Sequence, residues 1–277
     1  MADVIQVVFG SLTSLLNPPL VAGLTRAFEG SRHGIRMSGV DPDGSWLERL
    51  RRRPPAGAVL VSVDVTAEDL ASLTDAGVPV VAIDTHDRPL EGVSVIGATQ
   101  RRGGYLAAQH LVGLGHRAVA VLTGPHHLPC STARLAGNLA ALRAVHVEPP
   151  PEWVRAVSYS PGSAGKTCAE LLSGRRRPTA IIAGNDLQAL DALEAADRMG
   201  IVVPDELSVV GFDDQLLADA VFPALTTVRQ PLRAMGQEAG RILRDVMAHG
   251  QGRATSLDFL CELVVRSSTA RPAAVPA

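Results

Sequence analysis

The side chains in this sequence that could do chemistry stand mostly just behind short apolar runs. Ser11 follows Ile5–Phe9, and Asp84 follows Val80–Ile83. Thr123 and Gly124 follow Val121-Leu122, with Arg134 near the start of the next helical stretch. Tyr159 comes after Val157, Asn185 and Asp186 after Ala183-Gly184, and Asp213 and Asp214 after Gly211-Phe212. The set contains carboxylates, one guanidinium, an amide, hydroxyls and one aromatic ring, but no nucleophile beside a base. Such groups suit a small polyhydroxylated molecule: carboxylates accept from paired hydroxyls, guanidinium donates in a fixed fork, and an aromatic covers an apolar ring face. Each residue alone also suits a helix N-cap, because Asp, Asn and Ser are favoured where a strand gives way to a helix. That plainer reading is preferred for Asp186 and Asp214. For Asp84, Asn185 and Asp213 the two readings are evenly matched.

No catalytic or metal-binding constellation emerges. Gly113-Leu114-Gly115-His116-Arg117-Ala118 fits the letters of a dinucleotide fingerprint. That fingerprint must follow a strand and open a helix, whereas this segment closes a helical stretch and leads into an apolar run. Gly165-Lys166-Thr167 resembles the end of a phosphate loop, yet Ser160 stands where the loop needs a glycine. His126, His127 and Cys130 lie close together, without the fourth ligand and paired spacing of a zinc site. The three cysteines, Cys130, Cys168 and Cys261, form no CxxC and suggest no disulfide framework. There is no GxSxG nucleophile elbow. The expectation is a chain that is not an enzyme and holds neither cofactor nor metal.

The elements that must position the polar set alternate. Apolar runs at 5–9, 58–63, 78–83, 93–96, 118–122, 153–157, 180–183 and 207–210 read as strands. Stretches at 18–31, 66–76, 102–113, 133–145, 162–173, 186–199 and 231–249 carry helical spacing. This alternation means βαβ units, and the continuous apolar runs mean parallel strands covered on both faces. Asn17 before Pro18-Pro19 reads as a helix cap with proline in the first turn. Gly77 and Gly200 read as glycines that end helices before the chain returns to a strand. About eight strands divide best into two similar lobes of four or five each. In open parallel sheets, ligands sit outside the carboxyl ends of the strands, which is where the polar residues fall.

At 277 residues and 46% hydrophobic composition, a large core is available. Lys plus Arg is 26 against Asp plus Glu 28, a net charge of −2, so the chain lacks the basic balance expected of one that grips duplex DNA by itself. Arg51–Arg53 and Arg175–Arg177 each precede a proline and an apolar run; there cations complement the dipole of an ending helix. No apolar run is long enough to cross a membrane, and Asp3 stands where a signal peptide would carry Lys or Arg. A cytoplasmic location without membrane association is expected.

In its ordered motifs the sequence resembles the effector-binding core of the lactose-repressor/galactose-repressor (LacI) family of bacterial transcription regulators. The likeness runs from Asn17-Pro18, through Val78-Pro79-Val80-Val81-Ala82-Ile83-Asp84, to Ala108-Gln109-His110-Leu111 with Leu114-Gly115-His116-Arg117 and Leu122-Thr123-Gly124-Pro125. It continues through Arg134-Leu135-Ala136-Gly137, Pro178-Thr179-Ala180-Ile181 and Asn185-Asp186. Its most specific stretch is Val209-Val210-Gly211-Phe212-Asp213-Asp214 with Pro223 to Pro231 and Met235-Gly236, and Val264 to Thr269 matches the ending.

The resemblance implies an α/β, periplasmic-binding-protein-like fold: two doubly wound parallel-sheet lobes joined by three crossovers, expected near 99–101, 226–229 and 253–257. One lobe would be 1–99 plus 229–253, the other 100–226 plus 256–277. It implies a homodimer whose contact with operator DNA is made only through an N-terminal helix-turn-helix domain that has no counterpart in this chain. Carried over position by position, effector contacts fall on Ser11, Asp84, Arg134, Tyr159, Asn185, Asp213 and Gln230. Two positions depart from the family pattern: Pro19-Leu20 replaces an aromatic pair, and Thr99 stands where Asp is common. A purine needs aromatic or apolar faces on both sides, and with only 3% aromatic residues a sugar or sugar derivative is favoured as effector. A nucleobase effector and a transport solute-binding protein remain the alternatives. Arg134→Ala is expected to weaken effector binding by roughly 1.5–3 kcal/mol with the fold intact.

Overall fold

The computed structural model describes residues 4–12, 14–41, 43–84, 92–250 and 254–273. The chain forms two compact units: unit 1 is 1–98 with 231–259, and unit 2 is 99–230 with 260–277. The second and third passages between units come later than expected. Thr226–Arg229 is a strand of unit 2 and Ser256–Phe259 a strand of unit 1, so neither segment is a linker.

Unit 1 contains strands β1 (Val4–Phe9), β2 (Gly34–Gly39), β3 (Gly57–Val61), β4 (Val80–Ile83), β5 (Ser94–Ala98) and β11 (Ser256–Phe259). Its helices are α1 (Asn17–Ala27), α2 (Ser45–Arg52), α3 (Ala67–Asp75) and α9 (Leu232–His249). Unit 2 contains β6 (Val119–Thr123), β7 (Val154–Ala156), β8 (Ala180–Ile182), β9 (Ser208–Asp213), β10 (Thr226–Arg229) and β12 (Glu262–Val264). Its helices are α4 (Gln100–Leu114), α5 (Pro129–Arg143), α6 (Gly165–Ser173), α7 (Asp186–Arg198) and the short α8 (Leu216–Ala220).

The sheets run β11-β5-β4-β3-β1-β2 and β12-β10-β9-β8-β6-β7, parallel except that β12 pairs antiparallel with β10. Both have the doubly wound order of periplasmic-binding-protein-like lobes, as expected, but with six strands each where four or five were anticipated. The extra elements lack apolar runs for physical reasons. β2 is an edge strand with no buried position and carries Arg36 and Ser38. α2 buries only Trp46 and Leu50, and its last turn carries Arg49, Arg51 and Arg52, the cations that complement its dipole. By contrast β3, β4 and β6 are buried at every position.

Backbone-to-backbone helix contacts knit each unit. In unit 1, a Cβ on Gly23 would run into the Arg233 carbonyl, and one on Gly236 into that of Leu20; this close approach seats α1 on α9. In unit 2, a Cβ on Gly104 would run into the Arg134 carbonyl, and one on Gly137 into that of Arg101, so α4 and α5 touch at their glycines. Asn17 does not cap α1 as expected. Leu16 occupies the cap position, and the Asn17 amide donates to the carbonyls of Ser11 (2.9 Å) and Leu12 (3.3 Å), stapling the loop behind β1.

Candidate functional site

In unit 2, β6 pairs with β7 on one side and β8 on the other, so the connections leaving β6 and β8 diverge. That switch point is where an open α/β sheet forms a crevice. α5 follows β6 and presents Arg134, which is only 5% exposed. All three guanidinium nitrogens are engaged. Nε donates to Gln100 Oε1 (2.8 Å), Nη1 to the Gly184 carbonyl behind β8 (2.6 Å), and Nη2 lies 3.1 Å from Asp213 Oδ1. The guanidinium carbon also sits 3.7 Å from the Phe212 ring centre and 5.8 Å from that of Tyr159, a cation–π arrangement.

The network closes on itself. Gln230 Nε2 donates to Asp213 Oδ1 (2.8 Å), and Gln100 Nε2 donates to Gln230 Oε1 (2.8 Å). Arg134, Gln100, Gln230 and Asp213 thus form a ring of four side chains. Burial pushes the Asp213 carboxyl up, against the opposing pull of Arg134 and of the Gln230 and Gln215 amides. The Asp213 backbone is strained, with φ 107° followed by φ 52° at Asp214, a region that costs L-residues energy and that Asp tolerates better than most. Neighbours hold it there. Asp186 Oδ2 accepts from the Gln215 N–H (2.7 Å), while Asp214 is gripped by Arg229 (2.6 Å) and Arg266 (2.7 Å).

Tyr159 fits because of two glycines: a Cβ at Gly124 would overlap its ring, and one at Gly184 would press on it at 3.1 Å. Its hydroxyl accepts from Ser131 Oγ (2.9 Å), and burial pushes the phenol up. Asn185 caps α7, accepting from the Gln188 N–H (2.9 Å) and donating to the Tyr159 carbonyl at 3.4 Å. Gln188 is fully buried and ties three strand ends together: its amide donates to the carbonyls of Thr123, Val157 and Ser158, and its oxygen accepts from the Gly184 N–H.

Five of the expected site residues, Arg134, Tyr159, Asn185, Asp213 and Gln230, are therefore gathered in unit 2. Ser11 and Asp84 belong to unit 1. Ser11 is exposed; Asp84 is partly buried at φ 48°, its N–H donating to the Ile96 carbonyl (2.9 Å). Asp186 and Asp214 do not cap helices as the plainer reading expects: Asn185 caps α7 and Gln215 stands at the cap position of α8, while the two carboxylates hold the backbone around Asp213 in place. Gln100, Phe212, Ser131 and Gln188 went unremarked. Gln100 opens α4, two residues before the stretch with helical spacing. The expectation that Arg134→Ala would leave the fold intact needs correction, because Arg134 is the counter-charge of a buried carboxylate.

One carboxyl and two imidazoles set opposite pH slopes. Burial, reinforced by Asp213, raises the Asp186 carboxyl to about 8 from its ordinary 3.8. Folded chain thus holds a proton that the unfolded chain has lost, and stability falls as pH rises toward 8. His116 bonds Thr179 (2.9 Å), Ser208 (3.0 Å) and the Ala270 carbonyl (2.9 Å), and His110 bonds Thr269 (2.9 Å). Burial lowers both imidazoles, so the unfolded chain binds more protons below about 6.5 and stability falls with acid. Thermal midpoints should peak between the two limbs. Asp186→Asn is expected to flatten the alkaline limb and His116→Gln to reduce the acid one; an unchanged profile in either variant contradicts its assignment.

Comparison with known proteins gives concordant matches. Residues 108–269 match the family described as a periplasmic binding protein-like domain. The HTH-type transcriptional repressor PurR of Klebsiella pneumoniae is 32% identical over 238 residues, which cover 86% of this chain and 70% of that repressor. Among solved structures, a complex of the transcriptional regulator CelR with cellobiose superposes with TM-score 0.88 at 27% identity, covering 96% of this chain and 84% of that one. The lac repressor dimer bound to operator and the anti-inducer ONPF gives 0.84 at 26%, covering 98% and 95%. These relatives are transcriptional regulators and not enzymes. The chain belongs to the LacI family, and it is the periplasmic-binding-protein-like, effector-binding domain of a transcriptional regulator.

Proposed function

We propose that this domain senses an uncharged, polyhydroxylated small molecule, a sugar or sugar derivative, through Arg134, Asp213, Gln230, Tyr159 and Asn185 of unit 2 with Ser11 and Asp84 of unit 1. The observation that carries this reading is the buried Arg134–Asp213 pair beside Tyr159 at the switch point of the sheet. The guanidinium already faces a carboxylate, so a phosphorylated or carboxylated ligand would add a buried charge without a partner, which is costly. A neutral polyol offers hydroxyls that both donate and accept, and Tyr159 supplies one ring face. The cellobiose bound by CelR is of this kind. The mechanism is a population shift: an effector that binds one state of a homodimer better than the other favours that state, and operator affinity in the whole regulator changes accordingly. Such a regulator works in the cytoplasm. Among the described residues no helix is long and apolar enough to cross a membrane.

Thermal unfolding against monosaccharides, cellobiose, sugar phosphates and nucleobases tests the reading. A ligand at 100 times its Kd stabilises the folded state by about 2.7 kcal/mol. A rise with a neutral sugar and none with its phosphate is expected. A rise only with a nucleobase overturns the sugar assignment. A rise only with a sugar phosphate overturns the charge argument.

A further inference from the structure

The chain leaves or enters unit 2 after Ala98, after Gln230 and after Phe259. Side chains lace these three passages together on the unit 2 side. Thr99 Oγ1 accepts from the Cys261 N–H (2.9 Å), joining the first passage to the third. Gln100 Nε2 donates to Gln230 Oε1 (2.8 Å), joining the first to the second. Gln100 also accepts from Arg134 Nε, and Gln230 donates to Asp213. The bond between the two passages is therefore one edge of the ring that contains the Arg134–Asp213 pair.

We propose that Gln100 is a positioning residue that couples the state of Arg134 and Asp213 to the three passages between the units. The proposal deepens the effector-site reading and rests on it for its biological meaning. A ligand that draws the Arg134 fork or the Asp213 carboxylate toward itself must lengthen a bond to Gln100 or Gln230. Gln100 then has to choose between Arg134 and Gln230, and its helix begins one residue past the first passage. Gln100 uses both ends of one amide, so its acceptor and donor cannot be reset independently. Thr99 carries the displacement on to Cys261.

The test needs no effector. Arg134→Lys keeps a cation opposite Asp213 and removes the Nε donor. Gln100→Leu keeps the bulk of the side chain and removes both amide bonds. Hydrogen exchange of the whole chain is followed by mass spectrometry in segments 97–104, 226–233 and 257–263, with 165–173 as a remote reference. Arg134→Lys is expected to speed exchange in 226–233 and 257–263 by about tenfold, the scale of one lost hydrogen bond, and to leave 165–173 unchanged. In the Gln100→Leu background those segments already exchange faster, and Arg134→Lys adds nothing. An equal effect of Arg134→Lys in both backgrounds overturns the proposal, as does wild-type exchange in Gln100→Leu. Should Gln100→Leu fail to fold, Gln100→Glu keeps the acceptor for Arg134 and sets an oxygen against Gln230 Oε1; it is expected to abolish the coupling equally. The ligand panel can fail while this cycle succeeds, and the reverse, so the two readings stand or fall separately.

Discussion

Replacing Arg134 by methionine is expected to destabilise unit 2 by about 3–5 kcal/mol, the scale of breaking a buried ion pair from one side. The reason lies in what remains. Asp213 is 4% exposed, and among the described residues it keeps, without Arg134, only the amides of Gln230 and Gln215 as side-chain donors, at 2.8 and 3.5 Å. The Gly184 carbonyl and Gln100 Oε1 lose their donor as well. Methionine preserves contact with the Phe212 ring, so the loss reports the charge and its bonds more than a cavity. Asp213→Asn in the same chain removes the uncompensated carboxylate and should recover much of the loss. A single Asp213→Asn change should cost less than Arg134→Met, because guanidinium keeps Gln100 and Gly184. Urea denaturation followed through Trp153, the tryptophan of unit 2, checks the series. The deficit of Arg134→Met should also shrink as pH falls and Asp213 takes up a proton. A loss below about 1 kcal/mol, in the range of exposed pairs, would mean that water reaches the pair and that the charge argument for a neutral effector is unsound.

Arg134 also marks the limit of what the residues alone could say. Its place beside the strand ends of unit 2 was legible because α5 follows an apolar run. Its full set of partners was not. Gln100, Gly184 and Asp213 approach it from three other elements, and only the packing of α4 on α5 brings Gln100 close. Asn185 and Tyr159 were placed beside it in the same way, though Asn185 also caps α7. The buried strands were legible because parallel strands covered on both faces need unbroken apolar sequence. β2 and α2 were not, since an exposed edge strand and a two-turn charged helix leave no such trace. The later crossovers share this cause. Thr226-Thr227 and Ser256 look like linker residues, yet both threonines are fully buried in β10, with Thr227 donating to Asp186 Oδ1 (2.5 Å).

Two glycines of α4 should respond to alanine in opposite directions. At Gly104 the new Cβ would meet the Arg134 carbonyl, backbone against backbone, where no side chain can swing aside. The helices must separate, and overpacking of this kind costs about 1–3 kcal/mol or more. The cost falls on the site itself, because the backbone of Arg134 is the part displaced. Its bonds to Gln100, Gly184 and Asp213 are then stretched together, so Gly104→Ala should lower effector affinity as well as the thermal midpoint. Gly113, nine positions along the same helix by its number, is exposed and has nothing within 4 Å of its would-be Cβ. There alanine only restricts the unfolded chain and improves helix propensity, so Gly113→Ala should gain about 0.5–1 kcal/mol. The same substitution in one helix thus separates propensity from contact. If Gly104→Ala proved as stabilising as Gly113→Ala, the α4–α5 interface would have to be looser than the glycines imply. Arg134 would then owe its position to the ring of polar side chains, and breaking that ring at Gln100 would move it further than parting the helices.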